Sequence, residues 1–256
     1  DNFKSTRNAL GRRSPNHSLL DLAKMGLLTL LLLALNNISL FAQAPPFLDG
    51  KYDHWADSVL STMTPEERIA QLIMIPAYSN KDKVHVDSIA GLVEKYGVGG
   101  IIFFQGGPVR QAHMINQFQQ LSKVPLMISL DGEWGLKMRL DSTVRFPYQM
   151  ALGGVDDEKL IYDMGAEVAR QAKRAGINVN FAPVVDVNNN ANNPVIGFRS
   201  FGEEKENVTS KSLAYMKGMQ DNGVLASAKH FPGHGDTNVD SHYGLPVLNF
   251  SKRRLI

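Results

Sequence analysis

Apolar and polar residues follow one another along this chain in two alternating patterns. Short runs that are apolar throughout predict strands buried on both faces, and segments with a helical period predict amphipathic helices. The predicted helices are 53–63, 65–72, 84–96, 109–121, 156–175 and 203–221, and the predicted strands are 73–76, 101–104, 125–130, 177–182 and 224–228.

Local signals support several of these boundaries. Thr64 is suited to cap a helix that has Pro65 at its first position and two acidic residues in its first turn. Gly176 is expected to end the long helix before it. One buried face of the helix 84–96 is predicted to consist of Val86, Ile89, Val93 and Tyr96.

Apolar strands alternating with helices predict an α/β fold with a parallel sheet. About five strands are present, whereas a closed (β/α)8 barrel has eight. We therefore expect a TIM-like barrel of which this chain holds the first five to six β/α units. An open doubly wound sheet is the alternative, but no glycine-rich phosphate loop follows the first strand. The glycines at 97–100 precede their strand, so they predict a turn.

The first 44 residues differ in composition from the rest. Residues 1–24 carry five basic and two acidic side chains, residues 25–44 carry none, and the net charge of the whole chain is +2. An apolar run at 27–35 followed by Ala42-Gln43-Ala44 is typical of a secretory signal peptide cleaved after Ala44. We predict a leader at 1–44 and a barrel domain at 45–256. Either translation starts at Met25 and residues 1–24 lie upstream of the start, or residues 1–24 are an extended basic region of the leader.

Composition narrows the possible environments and partners. Residues 45–256 sum to a charge of −1, which gives no indication of nucleic acid binding. The apolar run is too short for a stable membrane span in the mature protein. The chain has no cysteine, so neither disulfides nor a lipid-modified cysteine is expected. These features favour export to a bacterial periplasm or exterior.

One loop concentrates the chemistry of the chain. The stretch 229–237 (KHFPGHGDT) is followed by Asp240-Ser241-His242, so three histidines, two carboxylates and a lysine fall within fourteen residues. Two glycines and a proline disfavour helix or strand here, so the polar groups belong to a loop that leaves a buried strand. In a (β/α) barrel, that end of the strands carries the active site.

Other polar residues also follow predicted strands. Asp131 and Glu133 follow one strand, and Asp186 and Arg199 follow the next. A ring of carboxylates, guanidinium, ammonium and imidazole suits the many donors and acceptors of a sugar. Asp131 could instead cap the next element, and we expect Asp186 to bond the backbone of the asparagine-rich loop at 188–193.

Three motifs resemble glycoside hydrolase family 3, and within it the bacterial β-N-acetylglucosaminidases. They are 196–202 (IGFRSFG), 229–235 (KHFPGHG), and Asp240-Ser241-His242 followed by Leu245-Pro246. The resemblance extends over residues 52–247. It implies that the terminal sugar is bound by Asp131, Arg199, Lys229 and His230.

The resemblance also implies a mechanism. His242 would be the acid/base, with Asp240 as the carboxylate that orients it and stabilises its charged form. The unperturbed pKa of a histidine side chain is ~6.5, which suits proton transfer in both directions at neutral pH. The reaction would be retaining, with a covalent glycosyl-enzyme intermediate and no cofactor. The family's aspartate nucleophile lies on a later strand, which we expect to lie beyond Ile256.

Several alternatives remain open. At 131–135 (DGEWG) the sequence departs from the family pattern, which often ends in two glycines, and Trp134 either stacks on a sugar or packs inside the protein. A zinc site could use His230, His234, Asp236 and His242, but the spacing matches no common zinc motif. We expect His234 to brace the loop. A β-glucosidase and a non-catalytic sugar-binding barrel are the rival functions, and peptidoglycan and chitin fragments are both possible substrates.

Overall fold

The computed structural model describes residues 50–251 and 253. The predicted leader and its cleavage site lie outside this range and stay predictions. The described residues divide into two units, with the boundary between Ser61 and Thr62. Of the elements that the structure describes, helix α1 (Asp53–Ser61) belongs to the first unit and the others belong to the second. None of the helices in the described ranges is long and apolar enough to cross a membrane.

Five parallel strands form one sheet in the second unit. They are β1 (Met74–Ala77), β2 (Gly100–Phe103), β3 (Met127–Leu130), β4 (Val179–Asn180) and β5 (Leu225–Ala226), in the spatial order β1-β2-β3-β4-β5. A doubly wound sheet reverses its order at a switch point, whereas strands of a barrel follow chain order. The observed order therefore excludes the doubly wound alternative and confirms the TIM-barrel-like fold class.

Helices alternate with the strands, and the sequence predicts all but one of those that follow. They are α2 (Pro65–Ala70), α3 (Lys83–Tyr96), α4 (Pro108–Leu121), α5 (Gln149–Gly153), α6 (Glu158–Arg174) and α7 (Lys205–Asp221). Thr64 caps α2 as predicted: its hydroxyl accepts from the Glu67 backbone N–H, and the Glu67 carboxylate accepts from the Thr64 N–H. Helix α3 ends at Gly97, whose φ of 63° favours glycine.

The hydrophobic core lies between the sheet and its helices. Ile101, Phe103, Ile128 and Leu130 of the sheet are fully buried. Ile89 and Val93 of α3 are buried as predicted, but Tyr96 is 50% exposed, so its assignment to the buried face was wrong. Tyr96 is the last residue of α3, and the chain turns away at Gly97. The short helix α5 was not predicted, because five residues are too few to show a helical period.

Candidate active site

The turn that follows β3 carries two acids of the site. The side chain of Asn180, on the neighbouring strand β4, accepts from the Gly132 N–H at 2.8 Å and donates to the Gly132 carbonyl at 3.2 Å. The Tyr215 hydroxyl, on α7, donates to the same carbonyl at 3.0 Å. Both backbone groups of Gly132 are thereby fixed, which holds Asp131 and Glu133 on either side of it in place.

Asp131 accepts hydrogen bonds from two cations. Lys229 Nζ lies 2.9 Å from Asp131 Oδ1, and an Arg139 nitrogen lies 2.6 Å from Oδ2. Burial raises the pKa of Asp131, but Lys229 and Arg139 lower it by more, so the carboxyl has a pKa below its ordinary value. The carboxylate of Asp131 therefore pairs with Arg139 and Lys229, and the alternative in which it only caps the next element does not hold.

Glu133 is a fully buried acid of the site, with a side chain 0% exposed. It accepts from Arg199 Nε at 2.9 Å and from a terminal Arg199 nitrogen at 2.8 Å, and Lys229 Nζ lies 2.8 Å away. Burial raises its pKa, but the Arg199 hydrogen bonds and the charge of Lys229 outweigh burial and lower it. Glu133, Arg199 and Lys229 are thus one ionised group of residues at the floor of the site.

Asp186 organises the histidine loop. Its Oδ2 lies 2.6 Å from His230 Nδ1, and its Oδ1 accepts from the backbone N–H of His234 at 2.6 Å. Burial raises the pKa of Asp186, but the hydrogen bonds from His230 and His234 lower it by more. The pKa of this carboxyl is therefore below its ordinary value. The expectation that Asp186 bonds its own asparagine-rich loop was wrong. The residue before Asp186 lies beside Lys229, because the Val185 N–H donates to the Lys229 carbonyl at 2.7 Å. The carboxylate of Asp186 therefore reaches the histidine loop.

The asparagine-rich loop holds the histidine loop instead. Asn193 Nδ2 donates to the His234 carbonyl at 2.7 Å, and Asn190 Nδ2 donates to the Thr237 carbonyl at 3.1 Å. His234 Nδ1 lies 2.6 Å from the Thr237 hydroxyl, which confirms a bracing contact for this histidine. Asparagine amides can satisfy carbonyls that a loop without regular structure leaves unpaired.

The structure brings the four predicted sugar-binding residues together. They line a cleft of about 380 Å³, and it also contains Ser241 and His242 of the later loop. Its full lining is Asp131, Glu133, Trp134, Met138, Arg139, Val195, Arg199, Lys229, His230, His234, Ser241 and His242. Arg139 was missed because nothing in the sequence relates it to Asp131, eight residues earlier.

Asp240 and His242 form a pair on the outer side of this cleft. His242 Nδ1 lies 2.6 Å from Asp240 Oδ1, and the His242 backbone N–H donates to the same oxygen at 2.9 Å. Both bonds lower the pKa of Asp240, so this carboxyl is ionised at neutral pH. The His242 side chain is 73% exposed. Because Nδ1 faces Asp240, Nε2 is the ring nitrogen that Asp240 does not engage.

Among the residues that the structure describes, no three histidine, aspartate or glutamate side chains are grouped so as to hold a metal ion. In the zinc hypothesis, His230 and His234 would be ligands. Asp186 instead engages the ring of His230 and the backbone of His234, and Thr237 engages the His234 ring.

Comparison with known proteins identifies relatives. Residues 64–256 match the family described as "Glycosyl hydrolase family 3 N terminal domain". The chain is 38% identical over 180 residues to "Beta-hexosaminidase A" of Pseudoalteromonas piscicida, covering 65% of this chain and 30% of that protein. It is 34% identical over 188 residues to "Beta-hexosaminidase LpqI" of Mycobacterium tuberculosis (strain ATCC 25618 / H37Rv), covering 71% and 46%. The chain thus spans less than half the length of these two curated relatives.

A solved structure agrees in fold. The glycoside hydrolase family 3 β-N-acetylglucosaminidase from Paenibacillus sp. str. FPU-7 superimposes with a TM-score of 0.70 at 38% sequence identity. The match covers 76% of this chain and 38% of that one.

Proposed function

Because the chain belongs to glycoside hydrolase family 3, we propose that it contributes to an exo-acting, retaining β-N-acetylhexosaminidase. The substrate would be a terminal β-linked N-acetylglucosamine on a peptidoglycan or chitin fragment. The relatives named beta-hexosaminidase support this choice over the β-glucosidase. The observation that carries the proposal is the Asp240–His242 pair, whose ring nitrogen lies 2.6 Å from the carboxylate at the edge of a charged cleft.

In this proposal the sugar hydrogen-bonds to polar groups of the cleft that are still available once the internal ion pairs have formed. Lys229 Nζ has three N–H groups, and the two carboxylates of Asp131 and Glu133 engage it at 2.9 and 2.8 Å. The third N–H can bind a hydroxyl. Asp186 holds His230 Nδ1, and His230 Nε2 lies 3.4 Å from a terminal Arg199 nitrogen, so a sugar hydroxyl would share this ring nitrogen with Arg199. The internal pairs fix these groups before binding, so little reorganisation is needed when the sugar arrives.

The proton transfers would be carried out by His242. When the nucleophile attacks the anomeric carbon, the glycosidic C–O bond breaks and the leaving oxygen takes the proton from His242 Nε2. In the second step neutral His242 removes a proton from water, and the water oxygen attacks the anomeric carbon and releases the nucleophile. Asp240 stabilises the imidazolium that exists before the first step and after the second. The proposal assigns the nucleophile to none of residues 50–251.

Hydrolysis assays on the full-length gene product test this function. We expect p-nitrophenyl N-acetyl-β-glucosaminide to be cleaved in preference to the matching β-glucoside. His242→Ala should reduce turnover of diacetylchitobiose by roughly 10²–10⁴-fold, the usual contribution of a general acid/base. The loss should be smaller on the aryl substrate, because p-nitrophenolate needs no proton to leave.

Each other result would change the assignment. Full turnover of diacetylchitobiose by His242→Ala would exclude His242 as the acid. Preference for the glucoside would indicate the β-glucosidase. Binding of N-acetylglucosamine without hydrolysis of either substrate would indicate a sugar-binding protein.

The leader predicted at 1–44 extends the proposal to export, with the reaction taking place in the periplasm or outside the cell. Fractionation of the producing cells tests this part separately. Activity confined to the cytoplasmic fraction would contradict it.

A further inference from the structure

Three aromatic side chains form a cluster beside the cleft. The rings of Trp134 and Tyr148 lie 4.8 Å apart between centroids at an interplanar angle of 77°, and those of Tyr148 and Phe198 lie 4.5 Å apart. The Trp134 and Phe198 rings are 6.5 Å apart. Edge-to-face and tilted contacts at these distances are favourable. The indole of Trp134 is therefore held in one orientation by its neighbours.

The cluster is attached to the charged floor of the cleft. Trp134 directly follows Glu133, and Phe198 directly precedes Arg199, so the two aromatic residues flank the two ends of a buried bidentate ion pair. This pair fixes the backbone on both sides of the cluster. The position of the indole relative to the charged groups is consequently set by the fold.

The cleft has two chemically different parts. Its charged part consists of acids, cations and histidines, and its apolar members are Trp134, Met138 and Val195. Trp134 is only partly buried, and it lines the cleft beside the charged residues. An aromatic surface that stays open beside charged groups indicates a ligand with both polar and apolar parts.

We propose that the Trp134 indole stacks against the C–H face of the sugar ring that the charged floor binds. A pyranose directs its hydroxyls outward around the ring edge and presents C–H groups on its faces, so it fits a polar floor and an aromatic wall together. Stacking removes apolar area of both rings from water, and the fixed indole loses little conformational freedom. This inference rests on the proposed function, because it concerns the same sugar site.

Fluorescence of Trp134 tests the stacking directly. The chain contains two tryptophans, Trp55 and Trp134, so in this chain Trp55→Phe leaves Trp134 as the reporter. If further tryptophans lie elsewhere in the full-length protein, the difference between this variant and the double variant Trp55→Phe, Trp134→Phe isolates the Trp134 signal. N-acetylglucosamine and glucose are titrated to saturation, with calorimetry in parallel to establish binding.

A change in Trp134 emission with both sugars supports ring stacking. A change with N-acetylglucosamine alone, although both sugars bind, would overturn it in favour of contact with the acetyl group. Binding of both sugars without any emission change would also overturn it. If neither sugar binds the unaltered protein, the proposed function itself fails, and calorimetry separates this case from the others.

Affinity measurements on variants give a second readout. Trp134→Leu should weaken N-acetylglucosamine binding by roughly three- to tenfold, and Trp134→Phe should weaken it less, because it keeps an aromatic face. Trp55→Phe is the matched control and should leave affinity unchanged. An unaltered Kd in a Trp134→Leu protein that melts cooperatively would show that the indole only packs against Tyr148.

Discussion

Replacing Glu133 by glutamine tests whether the floor of the cleft is a buried ion pair. The substitution keeps the size of the side chain but removes its charge. Glu133 currently accepts two hydrogen bonds from Arg199 and one ion-pair contact from Lys229. A glutamine amide has one acceptor oxygen, and its NH₂ group would face an Arg199 N–H donor. Arg199 and Lys229 would lose their shared counter-charge.

The expected cost follows from burial. The side chains of Glu133 and Arg199 are 0% and 17% exposed, so water cannot replace the lost interaction. Removing one partner of a buried pair costs ~3–5 kcal/mol, and we expect the lower end because glutamine retains one acceptor. At ~2–4 °C per kcal/mol for a domain of this size, the melting temperature should fall by roughly 6–12 °C.

The chain offers a matched control on helix α6. Glu167 accepts from Arg170 Nε at 2.7 Å and from a terminal Arg170 nitrogen at 2.6 Å, which is the same bidentate geometry at the surface. Hydrogen bonds from Arg170 and Gln171 lower the pKa of Glu167 to about 2. Its side chain and that of Arg170 are nevertheless 37% and 62% exposed, so solvent screens the pair. Glu167→Gln should cost ~1 kcal/mol or less.

Thermal and urea denaturation of both variants beside the unaltered protein measure the difference. We expect Glu133→Gln to lower the free energy of unfolding by at least about 2 kcal/mol more than Glu167→Gln does. Equal losses would refute it, because geometry without burial would then account for the energy. A Glu133→Gln protein that is as stable as its parent would show that the cations find other partners.

Three further predictions concern the same region. Folding lowers the pKa values of Glu133 and Asp186. The stability that these carboxylates contribute is therefore present above their unfolded pKa values of ~4 and is lost as the pH falls through their folded pKa values. Urea midpoints measured from pH 3 to 7 should show this loss, and the decline should be shallower in Asp186→Asn. Gly235→Ala should unfold or displace the histidine loop, because the new Cβ would lie only 1.7 Å from the Val187 carbonyl oxygen; a melting temperature and sugar affinity like those of the parent would contradict this. Tyr215→Phe should cost ~1 kcal/mol by removing the hydroxyl that holds the turn after β3, and an unchanged unfolding free energy would show that the turn is fixed without it.

The polar ends of the strands could be located from the sequence, but their pairings could not. The motifs predict functional roles for Arg199 and Lys229, and the structure places both in the cleft. Arg199 pairs with Glu133, 66 residues before it, and Lys229 pairs with Asp131, 98 residues before it. Several cations and acids of equal charge are present, and composition does not say which of them meet.

Errors arose where a side chain acts on a distant segment. Asp186 was expected to bond its own loop, which is the usual behaviour of an aspartate in an irregular segment. In the structure it holds His230 and His234, 44 and 48 residues later. The same limitation concealed Arg139. Its significance depends on the position of Asp131, and sequence spacing within a turn does not reveal that position.

The sequence by itself determined the strands, the longer helices and the barrel-like class of this protein, because apolar runs, helical periods and the Thr64 cap are local properties. It also determined which loops carry chemistry, since the specific motifs lie at strand ends. Only the tertiary structure decided how the charges pair, that the asparagine amides hold the histidine loop, and that Trp134 lines the cleft. Parallel strands bring together residues far apart along the chain, and the resulting distances depend on packing that no local pattern encodes.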